Sequence, residues 1–453
     1  MKTYIGRNRP ARGWELVVAL MFLSVFLGYF IWTMSGWIGW GSWFLTTFFT
    51  FFATVTTANI VSGFWWRTFK HNPLPDMRVV ALVPIYEENE ERVHDVVWSL
   101  IRQTRPPDHI YVMDDGSEFP LMGFDHPLVT WMRQDNAGKR EAQAAMLAQF
   151  DRDDYDLIVT VDSDSVFDLD SIEHLMRAFH EPDVMATTAI CYTANWRTNL
   201  MTRLTDINLQ ISTLQMRMLR SRMSIVTPTS GAIAAYRPWI FFDNMDDYLT
   251  SGNIGDDRRL SFYALMKGKV VTVNEAACET HLPETPRGIF KQRTRWSKSA
   301  WLGAPFVVTN LRPLVVFFYC YPLVFALAFP FSVLVLGTIW IRYDQPTLMY
   351  GVMFWFVTSF SMAGAAYASR PSMAKRDKVI QVALAGTLYP LWGLFLLRVA
   401  VYKALFTVRD QSWGTRGADA PEPEKTGATG YTPEVSVAEI TGTESQHVNK
   451  GTS

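Results

Sequence analysis

The chain has 453 residues, 49% of them hydrophobic and only 19% charged, with a formal net charge of -1. Near-neutrality gives no electrostatic basis for binding nucleic acid, and 17 Trp with 30 Phe is more apolar than a purely soluble protein needs. Length allows two or three domains at about 150 residues each, while three widely spaced cysteines (Cys191, Cys278, Cys320) indicate neither a zinc cluster nor a disulfide framework and fit a reduced, cytosolic polar middle.

Met1 to Gly13 is short and basic, with Lys2, Arg7, Arg9 and Arg12. Leu16 to Thr33 is almost wholly apolar and, at about 1.5 Å per residue, long enough to span a bilayer. A signal peptide is the alternative, but no small-x-small cleavage site clearly follows the run. Gly36 to Trp40 is a tight, uncharged turn, Trp43 to Phe64 a second apolar run, and Arg67, Lys70 and His71 follow. Positive residues on both outer flanks, and none between, place both ends of this hairpin in the cytoplasm. Trp14, Trp65 and Trp66 are expected at headgroup level.

From Pro73 to about Trp301 the rhythm is α/β. Val79 to Val83 reads as a buried strand, Glu91 to Gln103 as an amphipathic helix, and His109 to Met113 as a second strand. Ala137 to Phe150 is helical, and Leu157 to Val161 is a further strand. Short apolar strands alternating with helices predict a mostly parallel sheet. Beyond Leu311 the chain is apolar again, with spans at Pro313 to Ile341 and Pro346 to Ala368, and Arg342 and Asp344 between them. Arg370, Lys375, Arg376 and Lys378 mark a return to the cytoplasm. Val379 to Leu397 is interrupted by Gly386, Pro390 and Gly393 and reads either as one more span or as a re-entrant, broken segment. The tail after Gly417, rich in Pro, Gly, Thr and Glu, is expected to be disordered.

Asp162-Ser163-Asp164 ends the strand from Leu157. Two carboxylates there suit a hard cation, although Asp at such a place also caps helices and starts turns. Asp114-Asp115-Gly116-Ser117 closes an earlier strand in the same way, and reads either as an Asp-Gly turn or as an acceptor for a nucleotide's base or ribose. Gly138-Lys139-Arg140 opens a helix, and a cation at a helix N-terminus attracts phosphate. Asp256 and Asp257, after Gly255, are either the cap of a helix from Arg258 to Lys267 or a general base that takes a proton from a sugar hydroxyl. Lys291 to Trp296 reads as a basic interfacial helix in which Arg295 can neutralise a diphosphate and Trp296 can offer a flat face to a sugar. Together these groups describe sugar transfer. A divalent metal on Asp164, with Asp162 either beside it or on the ribose, bridges the diphosphate; Asp257 or Asp256 is the base; Lys139 and Arg295 absorb charge. A single in-line displacement inverts the anomeric configuration.

The ordered set Asp114-Asp115-Gly116-Ser117, Asp162-Ser163-Asp164, Gly255-Asp256-Asp257 and Gln292-x-x-Arg295-Trp296 resembles the family 2 membrane-integrated, processive β-glycosyltransferases, and among them the hyaluronan synthases, which are related to chitin and cellulose synthases. Gly138 to Gln143, Thr198 to Ile207 and Trp413-Gly414-Thr415-Arg416 extend the likeness, which covers nearly everything from the first hairpin to Gly417. The resemblance implies a GT-A catalytic domain of α/β fold on the cytoplasmic face of the plasma membrane, inserted between transmembrane helices that form a secretion channel. It implies UDP-sugar donors, Mg²⁺ or Mn²⁺, and a growing polysaccharide acceptor. Trp296, Gln292 and Ser230 would hold the acceptor, and Trp413 and Arg416 would belong to a gating loop over the nucleotide. That loop requires a cytoplasmic Trp413, which favours the re-entrant reading of 379–397.

The expected organisation is a hairpin (1–72), the catalytic domain (73–300), channel helices (301–410), the gating loop (411–417) and the tail (418–453). Departures from the family pattern are Ala232 in place of Pro, the missing Cys before Ser230, His281 where Asp is typical, and Lys291 for the first of two Gln. His281 is either a pocket donor or a surface substitution, and the second reading is preferred. The expected activity is a hyaluronan-like synthase using UDP-GlcNAc and UDP-GlcA. The alternatives are a chitin-type synthase using UDP-GlcNAc alone and, in another class, a catalytically inactive transporter or scaffold.

Overall fold

The computed structural model describes residues 12–34, 40–63, 67–252, 255–344, 346–370 and 372–409. The basic start of the chain, the turn after residue 35, Trp65 and Trp66, the loop at 411–417 and the tail lie outside them. Two apolar helices come first, α1 (Gly13–Met34) and α2 (Trp40–Ser62). The α/β region then runs β1 (Val79–Ile85), α3 (Glu90–Ile101), β2 (His109–Asp115), β3 (Val129–Gln134), α4 (Lys139–Leu147), β4 (Leu157–Val161), β5 (Ser165–Phe167), α5 (Ser171–Ala178) and β6 (Val184–Thr193). Next, α6 (Leu200–Ile211) passes through a π turn into α7 (Arg217–Arg222), followed by β7 (Ile233–Tyr236), α8 (Trp239–Phe242), α9 (Met245–Thr250), α10 (Asp256–Lys267) and β8 (Lys269–Thr280). The remaining helices are α11 (Pro286–Asn310), α12 (Pro313–Tyr343), α13 (Thr347–Ala368), α14 (Lys375–Ala385), α15 (Leu388–Trp392) and, after a second π turn, α16 (Val399–Phe406).

The eight strands lie in the order β3-β2-β1-β4-β7-β6-β8-β5. β1 is parallel to β2 and β4, β2 to β3, and β6 to β8. Because β4 and β6 are both antiparallel to the intervening β7, all six of these strands point one way, and β7 and β5 are reversed. The expected mostly parallel α/β sheet is therefore present between apolar helices. Its central strands are covered on both faces, which is why they read as unbroken apolar runs. Val79, Ala81, Val83 and Ile85 join Leu157, Val159 and Val161 on the face that meets Val93 and Val97 of α3. Val80, Leu82 and Ile158 project the other way, among Ala142 and Met146 of α4 and Leu260 of α10. Each Val, Leu or Ile so buried contributes about 1.5–3 kcal/mol. Asn89 starts α3 by accepting the Arg92 amide at 3.1 Å.

Two sequence expectations need correction here. β3 was missed because it is an edge strand, half-exposed along most of its length, without a continuous apolar run. The helix expected from Ala137 starts at Lys139, since the Ala137 and Gly138 amides are turned onto the Asp115 carboxylate instead.

Among the described residues four helical stretches are long and apolar enough to cross a bilayer: Gly13–Phe30, Pro313–Tyr343, Thr347–Ala368 and Leu388–Phe406. Phe331, Leu334 and Ile341 of α12 are 69%, 66% and 89% exposed, as lipid-facing side chains would be. α2 is helical over 23 residues, but six threonines and Asn59 make it less apolar than those four. The segment 379–397 is broken at Gly386 and Thr387, and its second part continues beyond Leu397. α14 ends at Ala385, and a new helix runs from Leu388 through the π turn to Phe406, carrying Arg398 and Lys403 inside it. Those charges do not terminate it because aromatic faces receive them: Arg398 lies over Phe329 at 4.5 Å and Lys403 over Phe290 at 5.1 Å. Buried Asp206 of α6 ties the two halves together, accepting from Tyr367 of α13 at 2.6 Å and Gln381 of α14 at 3.0 Å, with Arg370 3.5 Å away.

Candidate active site

Parallel strands deliver their C-terminal ends to one edge of the sheet, the edge at which ligands bind in open α/β folds. There Lys139, the first residue of α4, reaches Asp162 Oδ1 at 2.6 Å and Asp256 Oδ2 at 2.9 Å. One ammonium thus joins a helix start, the end of β4 and the start of α10. Its neighbour Arg140 turns away, donating to the Tyr248 carbonyl at 2.6 Å and the Ser251 hydroxyl at 2.9 Å, and so fixes α4 structurally. Behind Asp162 a Cβ on residue 231 would lie 2.9 Å from Oδ2, so a larger residue there would push the carboxylate aside.

Asp256 differs electrostatically from Asp257 and Asp164. Burial opposes ionisation of Asp256, but Lys139 outweighs it and holds that carboxyl below its ordinary range. Asp257 is raised to about 6 by burial and then by the anionic Asp256 beside it. Asp164 is likewise raised to about 6, by burial first and then by Asp162 and Glu88. Burial also works against Lys139, whose two carboxylate partners nevertheless keep it above its usual value. Among the described residues no three His, Cys, Asp or Glu side chains form a self-sufficient metal cage. What is present is a two-carboxylate edge, Asp162 and Asp164.

Asp114 and Asp115 are buried and serve their own loop. Asp114 accepts from Arg133 Nη1 at 2.6 Å and the Ser117 amide at 3.0 Å. Asp115 accepts from Gln134 Nε2 at 2.7 Å, the Ala137 amide at 3.0 Å and the Gly138 amide at 2.8 Å. The turn is of Asp-Gly type, with Gly116 at φ +75 and no room for a Cβ against the Asn136 amide. Asp115 is thereby one peptide from Lys139 and sets the start of α4.

Gln292, Arg295 and Trp296 lie on α11, which Ser299 fastens to the acidic loop. The Gly255 amide donates to Ser299 Oγ at 2.8 Å and Arg258 Nε does so at 2.9 Å. Ser230 donates its amide to Thr188 Oγ1 at 2.9 Å and pairs its hydroxyl with Cys191 Sγ at 2.9 Å. Cys191 and Cys278 are both free, register partners on β6 and β8, with Sγ atoms 3.3 Å apart. His281 is exposed. Trp413 and Arg416 fall outside the described residues.

The structure therefore brings together Lys139, Asp162, Asp164, Asp256 and Asp257, with Asp114 and Asp115 in the adjoining loop. Sequence reasoning missed Glu88, Gly231, Thr280 and Ser299. Glu88 had a signal, for it follows a buried strand as the other acids do. Thr280 had none, and meets Asp164 Oδ1 at 3.3 Å only because β5 pairs with β8.

Residues 75–299 match the family model described as glycosyltransferase like family 2. A hyaluronan synthase of Streptococcus pyogenes serotype M3 is 29% identical over 374 residues, covering 78% of this chain and 86% of that protein. An N-acetylglucosaminyltransferase of Rhizobium meliloti is 28% identical over 258 residues, 53% of this chain and 59% of that protein. Among solved structures, a mannosyltransferase from Pyrobaculum calidifontis, in complex with GDP-Man and Mn²⁺, covers 87% of this chain and 99% of its own at 15% identity and a TM-score of 0.46. With its acidic motifs at one sheet edge, the chain carries a glycosyltransferase domain of family 2 type over residues 75–299, set among apolar helices.

Proposed function

We propose that the protein is a processive, inverting β-glycosyltransferase that polymerises UDP-GlcNAc and UDP-GlcA into a hyaluronan-like polysaccharide and exports the chain through its own helices. The observation that carries this reading is the Asp256–Asp257 pair, tied through Ser299 to the helix bearing Arg295 and Trp296. Asp257 is the base: a carboxylate raised to about 6 is ionised at neutral pH and more basic than an ordinary one. It takes the proton of the acceptor hydroxyl, whose oxygen forms the new bond to the anomeric carbon as the bond to the diphosphate breaks. Asp256, held ionised by Lys139, keeps Asp257 basic. Lys139 and Arg295 offset the charge gathering on the departing diphosphate.

Asp114, Asp115 and Asp162 line the nucleotide side. Each of these carboxylates keeps at least one acceptor site beyond its present partners, Asp115 on Oδ2 alone. Trp296, Gln292 and Ser230 hold the acceptor, and Trp413 with Arg416 are assigned to closure over the nucleotide. Asp164 and Asp162 fit a Mg²⁺ or Mn²⁺ ion, because such ions take one or two protein carboxylates and complete their shell with substrate phosphates, and a cation would offset the burial and the neighbouring negative charge that raise Asp164. When bound, it would act as a Lewis acid on the diphosphate. Arg67 and Lys70 on one side and Arg370 to Lys378 on the other support a cytoplasmic catalytic domain, and the reading assigns the protein to the plasma membrane. The domain limits 1–72, 73–300, 301–410, 411–417 and 418–453 belong to this proposal.

The test is purified protein in detergent with Mn²⁺ and radiolabelled UDP-sugars, singly and in pairs. Polymer only from UDP-GlcA plus UDP-GlcNAc supports the proposal. The likeness to an N-acetylglucosaminyltransferase favours a second reading, a chitin-type synthase, which polymer from UDP-GlcNAc alone would support. No turnover of any donor sinks both and leaves an inactive transporter or scaffold.

A further inference from the structure

α11 carries one more polar group that the transfer chemistry leaves unused. At about 100° per residue, Gln292, Trp296 and Ser299 share one face of this helix, and Arg293 flanks it. Ser299 fixes where that face looks, since its hydroxyl meets the Gly255 amide and Arg258 beside Asp257. Arg293 lies on the Trp296 indole, its Cζ 4.5 Å from the ring centroid. Its Nε and Nη2 are buried and donate to no acceptor among the described residues, and Gln292 Oε1 is equally unmatched there. The titratable neighbour acting on Arg293 is the Tyr389 phenol rather than a carboxylate.

A buried guanidinium with unspent donors is costly, whereas the same group paired with a carboxylate makes two parallel charge-assisted hydrogen bonds. A planar, donor-only cation beside a sugar platform matches one feature of a polysaccharide, the carboxylate of a hexuronate. A homopolymer of N-acetylhexosamine has none, and an alternating polymer has one in every second sugar. We infer that Arg293 is a specificity residue of the acceptor site, reading the carboxylate of a hexuronate next to the sugar carried on Trp296. This rests on the two-donor reading above and names a group that enforces it.

The full-length protein in detergent, at fixed ionic strength, is titrated with an alternating hexuronate and N-acetylhexosamine oligosaccharide and with the same oligosaccharide as its methyl ester. Wild type is expected to bind the acid about tenfold or more tightly than the ester, the size of a hydrogen bond to a charged group. Arg293→Gln is expected to bind both alike, and Arg293→Lys to recover part of the difference. Equal binding of acid and ester by wild type overturns the inference without any variant, and so does an undiminished gap in Arg293→Gln. Polymerisation from single and paired donors on the same preparation separates the two ideas. A requirement for both donors with no acid–ester gap removes only the role of Arg293. Polymer from UDP-GlcNAc alone removes the two-donor reading and the inference with it.

Discussion

At the end of β2, Asp115 accepts hydrogen bonds from three donors of its own chain, while at the end of β4 a single ammonium is shared between Asp162 and Asp256. The sequence signal is the same at both, a pair of acids after a buried apolar run. The β2 acids are satisfied and shape a loop. The β4 and α10 acids are buried beside carboxylates that their partners do not fully balance, so that burial first and then those neighbours raise Asp164 and Asp257 to about 6. The contrast teaches that an acidic strand end becomes chemical when the protein leaves its charge incompletely balanced. It can be tested at either end.

The largest effect is expected at the unbalanced end. Asp257→Asn keeps the shape of the loop but removes the proposed base, and transfer should fall by about 10²–10⁴-fold. UDP binding by calorimetry should stay within about twofold of wild type. Loss of UDP binding would instead place Asp257 on the donor side. Next comes Lys139→Met, which leaves Asp162 and Asp256 without their shared cation. Transfer should drop by about 10²-fold, with a higher KM for the UDP-sugar, as expected when a charge-stabilising donor is removed. A change confined to thermal stability would make Lys139 a structural bridge only.

The pH profile gives a smaller effect with a definite sign. Asp257 is effective only when ionised, and its carboxyl sits near 6, so it is increasingly protonated below that pH. The rate should level off above about pH 7 and fall about tenfold for each unit below 6. A rate that rises on acidification from 7 to 5 would contradict the assignment. Because Asp256 is the charge that raises Asp257 after burial, Asp256→Asn should move the acid limb to lower pH.

Much of this was legible in the sequence. β1, β2 and β4 announced themselves because parallel strands covered on both faces need unbroken apolar runs. The acids were legible as residues, since Asp after such a run is a local pattern. Their inequality was not, because it depends on Lys139 reaching two elements at once and on Ser299 arriving from α11, 44 residues beyond Gly255 in the chain. The Cys191–Cys278 pair was hidden for the same reason, being 87 residues apart and joined only by strand register. That the last helix continues past Leu397 was not legible, because hydropathy scores Arg398 and Lys403 as charges without the aromatic rings that receive them.

The smallest chemical effect belongs to the balanced end. Asp115→Asn cannot accept at both oxygens, so at least one of the Gln134, Ala137 and Gly138 donors loses its partner inside a buried loop. The cost should be about 1–3 kcal/mol of stability, read as a lower unfolding midpoint in detergent. Transfer by the folded fraction should change only severalfold, through a modestly weaker hold on the nucleotide, because Asp257 and Lys139 are untouched. The opposite pattern, an unchanged midpoint with a strongly weakened affinity for UDP, would mean that the loop holds without Asp115 and that its carboxylate serves the nucleotide far more than the loop. In that case the β2 end would not be at rest, and its three internal donors would be placeholders released when the donor sugar binds.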